Sequence, residues 1–447
     1  MNSFLNVAAR NLVQAPRRTL LLGLALFLVT LLFVMLFSLT RGMTETMFRV
    51  STVLMSGHVN VGGWHKFKLN DAAPMITGRD ALLKVVRAET PGLDYAIDRY
   101  RGWGKFISET TSIQCSFTGI DLDAERGFAA MVQLAEEREY RKDGGARVLG
   151  DVRRLREPNT ILIFAAQAKR LEVGVGDTLT LFTETGKGQT NTKELTIVAV
   201  AKNFGFTSNW ATFVNKEVAR DIYQLQPDTT GVVQIYLADP GRSEQVMGQL
   251  RRTLEGKGYL LSEHDPQAFF MKFQNVMAED WVGQKLDLTT WRDEATFLEW
   301  QLTLVNTISV FLVGILALII AVGIMNATWI TVRERTAEVG MLRAIGMSRP
   351  QVLVMFLVES LLLGLAATAL GALAGAGLAL LIDHLALRVP WPAVEMVLMA
   401  DTVHLSVSWW HLLAAVATFT FLSGLGALWP ARRASRLQPI TAIQRVN

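Results

Sequence analysis

Four stretches of this chain are nearly free of charge: residues 19–40, 300–332, 352–382, where Glu359 is the one interruption, and 409–429. Each approaches or exceeds the ~20 apolar residues that carry an α-helix across a ~30 Å hydrocarbon layer. The 447-residue chain is 50% hydrophobic and 19% charged, with a mean hydropathy of +0.28, more apolar than filling a soluble core requires. Between the first and second stretches, residues 41–300 have ordinary soluble composition and enough length for a core of their own. The fold class that follows is an α-helical membrane protein with four transmembrane helices and a large mixed α/β extracytoplasmic domain inserted between helices 1 and 2.

Basic residues set the expected orientation, because short loops rich in Lys and Arg stay cytoplasmic. Arg10, Arg17 and Arg18 precede the first stretch; Arg333, Arg335, Arg343 and Arg349 separate the second from the third; Arg432, Arg433, Arg436 and Arg445 follow the fourth. The connection between the third and fourth carries Arg388 against Asp383, Glu395 and Asp401. Both termini are therefore expected inside and the insert outside. The expected order is a cytoplasmic interfacial elbow (1–18), helix 1 (19–40), the outer domain with its stalk (41–300) and helix 2 (301–332). A cytoplasmic helix (333–349), helix 3 (350–382), a short outer loop (383–408), helix 4 (409–429) and a cytoplasmic tail (430–447) complete it. The first apolar stretch exceeds a typical signal-peptide core and lacks a small-x-small site after it, which predicts a retained anchor. The net charge of +4 reflects this asymmetry and forms no basic stripe, so no nucleic acid is expected as a partner.

In the insert, residues 113–120, 178–182, 194–200 and 232–237 read as strands, and 81–88, 216–225 and 243–254 as helices. Two lobes are expected, with residues 183–193 an exposed hairpin loop and residues 269–301 helical for most of their length, part of them a stalk running into helix 2. Cys115, the sole cysteine, is expected in a strand as a small hydrophobe, so no internal disulfide forms. The insert offers little chemistry. Gly186-Lys187 and Gly256-Lys257 lack the flanking residues of a P-loop. Asp121, Asp123 and Glu125 imitate the start of a calcium loop, but Arg126 and Val132 stand where Gly and Glu belong, and a solvated acidic cluster is the competing reading. Six scattered histidines, with no HExxH and no Cys pair, argue against a metal site. No GxSxG elbow is present. No catalytic residue and no cofactor are assigned to this chain.

In the first segment, Leu5, Ala8, Ala9 and Leu12 share a helical face, which favours an interfacial elbow over a mere basic flank. Ala367, Gly371, Gly375 and Ala379 form a small-residue stripe, an interface within this chain or with a second membrane subunit. Glu359 must face protein or water; structural hydrogen bonding is favoured over a proton relay. Residues 333–349, RERTAEVGMLRAIGMSR, alternate charges with Val339, Leu342 and Ile345 at helical spacing and end at Gly346, predicting a short amphipathic helix. It either brackets the membrane surface or contacts a partner.

The same segment resembles the signature of the FtsX-like permeases, R-x-x-E-[IV]-G-x-L-[RK]-A-[IL]-G, at Arg335, Glu338, Gly340, Leu342, Arg343, Ala344 and Gly346. These are the transmembrane subunits of mechanotransmitting (type VII) ABC transporters, including MacB-type pumps and lipoprotein-releasing (LolC/LolE-like) permeases. PARRASRLQPITAI at 430–443 resembles the family's tail. SGHVNV at 56–61, FTGIDLDAE at 117–125, VGVGDTLTL at 173–181 and TTWRDE at 289–294 resemble outer landmarks of the lipoprotein-releasing kind. The resemblance implies a multi-pass inner-membrane permease that pairs with a second permease, identical or different, around a cytoplasmic ABC ATPase dimer holding ATP and Mg. The segment from Arg333 to Arg349 would dock on that ATPase, and periplasmic cargo or a carrier protein would meet the outer domain. Thr185, Gly186, Lys187 and Gly188 are the candidate tip of a carrier-holding hook. Lipoprotein or other hydrophobic cargo release is the first expectation; tripartite efflux, activation of a cell-wall hydrolase, and a signalling receptor needing no ATPase are the alternatives.

Overall fold

The computed structural model describes residues 10, 16–69, 71–185, 188–389, 391, 394–395, 398, 400 and 402–436. The expected elbow and the tail beyond residue 436 thus lie largely outside the described residues. The chain divides into two compact units, one drawn from Met1–Thr44, Gln301–Arg388 and Thr402–Asn447, the other from Glu45–Trp300 and Val389–Asp401. In chain order, helix α1 (Pro16–Val50) passes into a π-helical turn (Ser51–Met55) and then strands β1 (Val59–Lys68), β2 (Asp71–Ala73) and β3 (Ile76–Thr77). Next come α2 (Arg79–Glu89), β4 (Leu93–Ile107), β5 (Ser112–Ile120), β6 (Thr160–Phe164), α3 (Ala165–Leu171), β7 (Thr178–Glu184) and β8 (Thr190–Ala201). They are followed by β9 (Ala211–Asn215), α4 (Lys216–Ile222), β10 (Thr229–Thr230), β11 (Val232–Leu237), α5 (Ser243–Gly256) and β12 (Gly283–Thr290). The chain ends with α6 (Trp291–Glu334), α7 (Thr336–Ala344), α8 (Arg349–Leu385) and α9 (Trp409–Ser435). Among the described residues, four helices are long and apolar enough to cross a membrane: Thr19–Met55, Leu302–Glu334, Arg349–Leu385 and Trp409–Ser435.

The inserted domain is mixed α/β around a ten-stranded sheet ordered β12-β1-β11-β4-β5-β9-β6-β8-β7, with β2 added to β1. Strand β4 is shared by two halves. Residues 93–99 pair with β11, whereas residues 100–107 pair with β5 and, at their end, with β7, closing six strands into a ring. The two expected lobes are therefore halves of one continuous sheet. Strand β6, TILIF, is buried on both faces, as near-continuous apolar strands are. Ile161 and Ile163 enter one core with Phe117, Leu195 and Ile197, while Leu162 and Phe164 enter another with Val198 and Phe213. A third core lies where α2 and α5 lay Leu82, Val86, Val246 and Leu250 against Val59, Val233 and Leu288.

Two expectations are corrected. Residues 283–290 are not helical: β12 pairs along β1 from Val59↔Thr290 to Lys66↔Gly283. Leu286 and Leu288 alternate with polar residues, as a strand requires, and the polar side is buried because it is paired, Lys272 Nζ lying 2.9 Å from the Asp287 carboxylate. The loop expected at 183–193 is much shorter, since Glu184 pairs with Thr190 and Leu181 with Lys193.

In the spanning unit, the small-residue stripe of α8 meets α1 of the same chain. A side chain at Gly371 would come 2.5 Å from the Phe27 carbonyl oxygen, and one at Gly375 would sit 3.1 Å from that of Leu31. Gly364 of α8 lies as closely against Ser423 of α9, and Gly426 of α9 against Ala321 of α6. Lipid tails are as apolar as leucine, so helices in a bilayer gain by van der Waals contact at close approach, which small residues permit.

Candidate coupling site

Helix α7 carries the residues singled out by the sequence, and the structure separates them into an anchored set and an exposed set. Val339 and Gly340 are buried, and Val339 and Leu342 pack with Val332, Val352, Met355, Phe356, Ala431 and Ala434. The Arg335 guanidinium donates from Nε to Glu338 at 2.8 Å and reaches the buried Glu359 carboxylate of α8 at 3.4 Å. Arg343 donates to the Ser435 carbonyl at the last turn of α9, 2.9 Å away, one of the four carbonyls that a helix end leaves without an internal partner. Arg335 and Arg343 thus fasten α7 to α8 and α9.

The end of α7 is a Schellman turn. Gly346 N–H donates to the Arg343 carbonyl and Met347 N–H to that of Leu342, at 3.2 and 3.0 Å, with Gly346 at φ +111°. A glycine is favoured there because a Cβ is penalised at positive φ. Helix α8 then starts from Ser348, whose N–H is taken by Gln351 in a reciprocal capping box with Pro350 in the first turn. Two sharp ends only a few residues apart fix the direction of α7. The outward strip runs from Arg333 at the end of α6 through Glu338, Met341 and Ala344 of α7 to Ile345 just after it, all exposed, Met341 at 60% and Ile345 at 79%. The anchored residues hold the helix; the exposed strip is what it presents.

Glu359 also borders a cavity of about 30 Å³ that mixes Thr19, Thr328, Thr331, Ser360 and Ser423 with apolar residues such as Leu22 and Phe356. The hydroxyls of Thr328, Thr331 and Ser423 donate to backbone carbonyls. Of the proposed hook tip, Gly186 and Lys187 lie outside the described residues. Thr185 N–H donates to the Gln189 carbonyl at 2.8 Å and Gly188 N–H to that of Thr185 at 2.9 Å, which places Thr185 and Gly188 between β7 and β8. Among the described residues no group of His, Cys, Asp and Glu is arranged to hold a metal. Cys115 is fully buried in β5, which pushes its thiol up to about 11; it stays protonated and unreactive.

Sequence reasoning missed one pair. Glu125, read as a solvated or calcium-like carboxylate, has its side chain buried, with the oxygens 2.6 and 2.7 Å from Nε and Nη2 of Arg99, itself wholly buried in β4. Asp121 and Asp123 of the same cluster are exposed. The signal was only the FTGIDLDAE stretch, and nothing in it names an arginine 26 residues away.

Residues 310–439 match the FtsX-like permease C-terminal family. An uncharacterized ABC transporter permease of Methanocaldococcus jannaschii is 32% identical over 148 residues, 32% of this chain and 34% of that protein. The ABC transporter permease YknZ of Bacillus subtilis is 30% identical over 141 residues, 32% of each chain. The macrolide export ATP-binding/permease protein MacB of Chlorobium luteolum is 34% identical over 123 residues, 27% of this chain and 16% of that one. The chain thus spans about a third or less of the length of these relatives. Among solved structures, the extracellular domain of a YknZ transporter from Gram-positive bacteria aligns over 44% of this chain and 95% of its own, with 9% identity and a TM-score of 0.29. The periplasmic region of MacB from Actinobacillus actinomycetemcomitans aligns over 48% and 89%, with 9% identity and a TM-score of 0.28.

Proposed function

From the premise that residues 310–439 form an FtsX-like permease domain, we propose that this chain is the membrane permease subunit of an ABC transporter. A separate cytoplasmic ATPase hydrolyses ATP, and α7 receives its movement. The observation that carries the reading is the division of labour in α7: one face bolted to α8 and α9 through Arg335, Arg343 and Leu342, the other an exposed strip with Met341 and Ile345 at its centre. A bracket lying on lipid headgroups needs no such double fastening. A lever does, because force applied to the strip reaches the spanning helices only through fixed contacts. The matched relatives support the ATPase partner, since several are named as combined ATP-binding/permease proteins.

The reading places the chain in an inner membrane with both termini cytoplasmic and the inserted domain in the periplasm, paired with a second permease around an ATPase dimer. Motion is delivered to the inserted domain, and a lipoprotein or another hydrophobic cargo is released or handed over there, without crossing the bilayer. The β7–β8 hairpin tip, with Thr185 and Gly188, would hold a carrier. A cysteine in place of Ile345 tests the ATPase contact. With Cys115 buried, a thiol cross-linker should join the Ile345→Cys chain to an ATP-binding protein in native membranes; a chain that stays uncross-linked would sink the docking assignment. Shortening residues 185–189 to a two-residue turn should abolish cargo hand-over while leaving ATPase assembly intact, and unchanged transfer would remove the hook.

A further inference from the structure

Helix α1 ends inside the inserted domain, and its last carbonyls are not left to water. The final four C=O groups of a helix have no internal partner, and here each receives a donor from the sheet. Tyr236 Oη donates to the Thr52 carbonyl at 2.9 Å, Arg99 Nη2 to Val53 at 2.8 Å, Arg99 Nη1 to Leu54 at 2.9 Å, and Gln234 Nε2 to Met55 at 3.0 Å. The three donors share one face of the sheet, because Arg99 stands opposite Val232 in the β4–β11 register and Gln234 and Tyr236 follow it at two-residue steps. Glu125 locks the donor fork from the other side with two charge-assisted bonds. Val50 and Leu54 pack into the core with Ile120, Phe128 and Phe213. The segment so held is a π-helical turn, a rare geometry that recurs at functional sites.

The start of α6 is fastened beside it. Thr290 and Asp293 exchange hydrogen bonds as a cap, Thr289 Oγ1 donates to Glu294 at 2.8 Å, and Trp291 N–H donates to the His58 carbonyl at 3.1 Å. Phe48 of α1 packs its ring edge to face with Trp291, centroids 4.9 Å apart. Because β1 begins where β12 ends, Val59 opposite Thr290, both helices leave the sheet from the same end of one strand pair.

We propose that Arg99 and Glu125 form a latch that makes the root of α1 and the sheet move as one body, and so determine whether motion of the spanning helix reaches the inserted domain. The inference rests on the motion-transmitting reading above. An apolar contact alone lets a helix slide along its axis; four directed hydrogen bonds at its terminus resist pull along that axis. Arg99 is the one side chain that serves two of the four carbonyls, its planar fork reaching both while Glu125 fixes its orientation. Arg99 and Glu125 are positioning residues.

The test uses the full chain with its copurified ATPase in lipid nanodiscs, and compares wild type with Arg99→Lys, which keeps the charge and loses the fork. Amide exchange is followed at residues 51–58 and at β6, with and without ATP. The latch predicts that Arg99→Lys raises exchange at 51–58 by about tenfold or more while β6 stays protected, and that ATP-dependent changes in the inserted domain are lost with ATP hydrolysis retained. Unchanged exchange at 51–58, or full ATP-dependent changes in the variant, overturns it. Should Arg99→Lys lose β6 protection, Glu125→Gln takes its place, since it keeps the shape of the partner and removes its charge. A wild-type chain with no ATP-dependent change refutes the ATPase reading instead, and exchange at 51–58 then decides the latch alone.

Discussion

Around Gly371 and Gly375, α8 meets α1 by close approach, a side chain at either glycine being shut out by the Phe27 and Leu31 backbone. At the other end of α1, in the inserted domain, the helix is held by a buried arginine, a glutamine and a tyrosine, each donating to a carbonyl, with a carboxylate holding the arginine. The difference follows from the solvent. In a bilayer there is no hydrophobic drive between helices, so contact area at short distance is what remains. In water an apolar surface is buried readily but without direction, so a joint that must hold in one direction needs hydrogen bonds, with every buried partner satisfied.

Substitutions at the two places should therefore fail differently. Arg99→Met leaves Glu125 charged in a dry site and two carbonyls without donors; breaking a buried pair from one side costs about 3–5 kcal/mol. The denaturant midpoint of the detergent-solubilised chain should fall accordingly, and the double variant Arg99→Met with Glu125→Leu should recover much of the loss. A double variant as unstable as the single one would show that the carbonyls, not the stranded charge, dominate. Gly371→Val forces the Phe27 backbone away and should cost about 1–3 kcal/mol, the range of overpacking, read as a lower unfolding temperature with inserted-domain exchange unchanged. Gly346→Ala, at φ +111°, should cost about 1–2 kcal/mol and loosen α7 rather than the bundle.

The smallest effect separates the two regions by pH. His58 stacks on Phe48, meets Tyr236 edge on, and accepts the Leu237 N–H at Nδ1, 2.9 Å away. Burial holds its pKa below the usual 6.5, against the opposing pull of Asp94. The folded state thus binds fewer protons than the unfolded one in the window below pH 6.5. Stability should fall as pH drops from 6.5 through the lowered value and be insensitive to this group above 6.5. His58→Asn should flatten that slope; a slope unchanged in His58→Asn assigns it elsewhere.

How much the sequence disclosed differs between the same two regions. The spanning helices were legible because charge exclusion over some twenty residues has one physical reading, and α7 because its apolar spacing and Gly346 end are local features. The joint was not. Residues 283–290 carried a period-two pattern at Leu286 and Leu288, yet Lys285, Asp287 and Thr289 between them looked solvent-facing and let the helical reading extend. Asp287 is buried because Lys272 reaches it, and Glu125 because Arg99 does. Each pairing joins a strand residue to a residue outside the strands, 15 and 26 positions away, beyond the span over which a helix or strand period is read. The landmark stretches at 56–61, 117–125 and 289–294 each contribute to the roots of α1 and α6, a convergence visible only once the sheet is assembled.

ATP turnover of the complex extracted from native membranes, for wild type and for Met341→Asp with Ile345→Asp, tests the central claim most directly. Both side chains are exposed, so the variant should keep the wild-type unfolding temperature. An ATPase that copurifies with wild type, turns over ATP, and is lost from the variant is the predicted result. Wild type without any ATPase, or a variant that retains it with the same turnover, would contradict the assignment of α7 as the receiving lever.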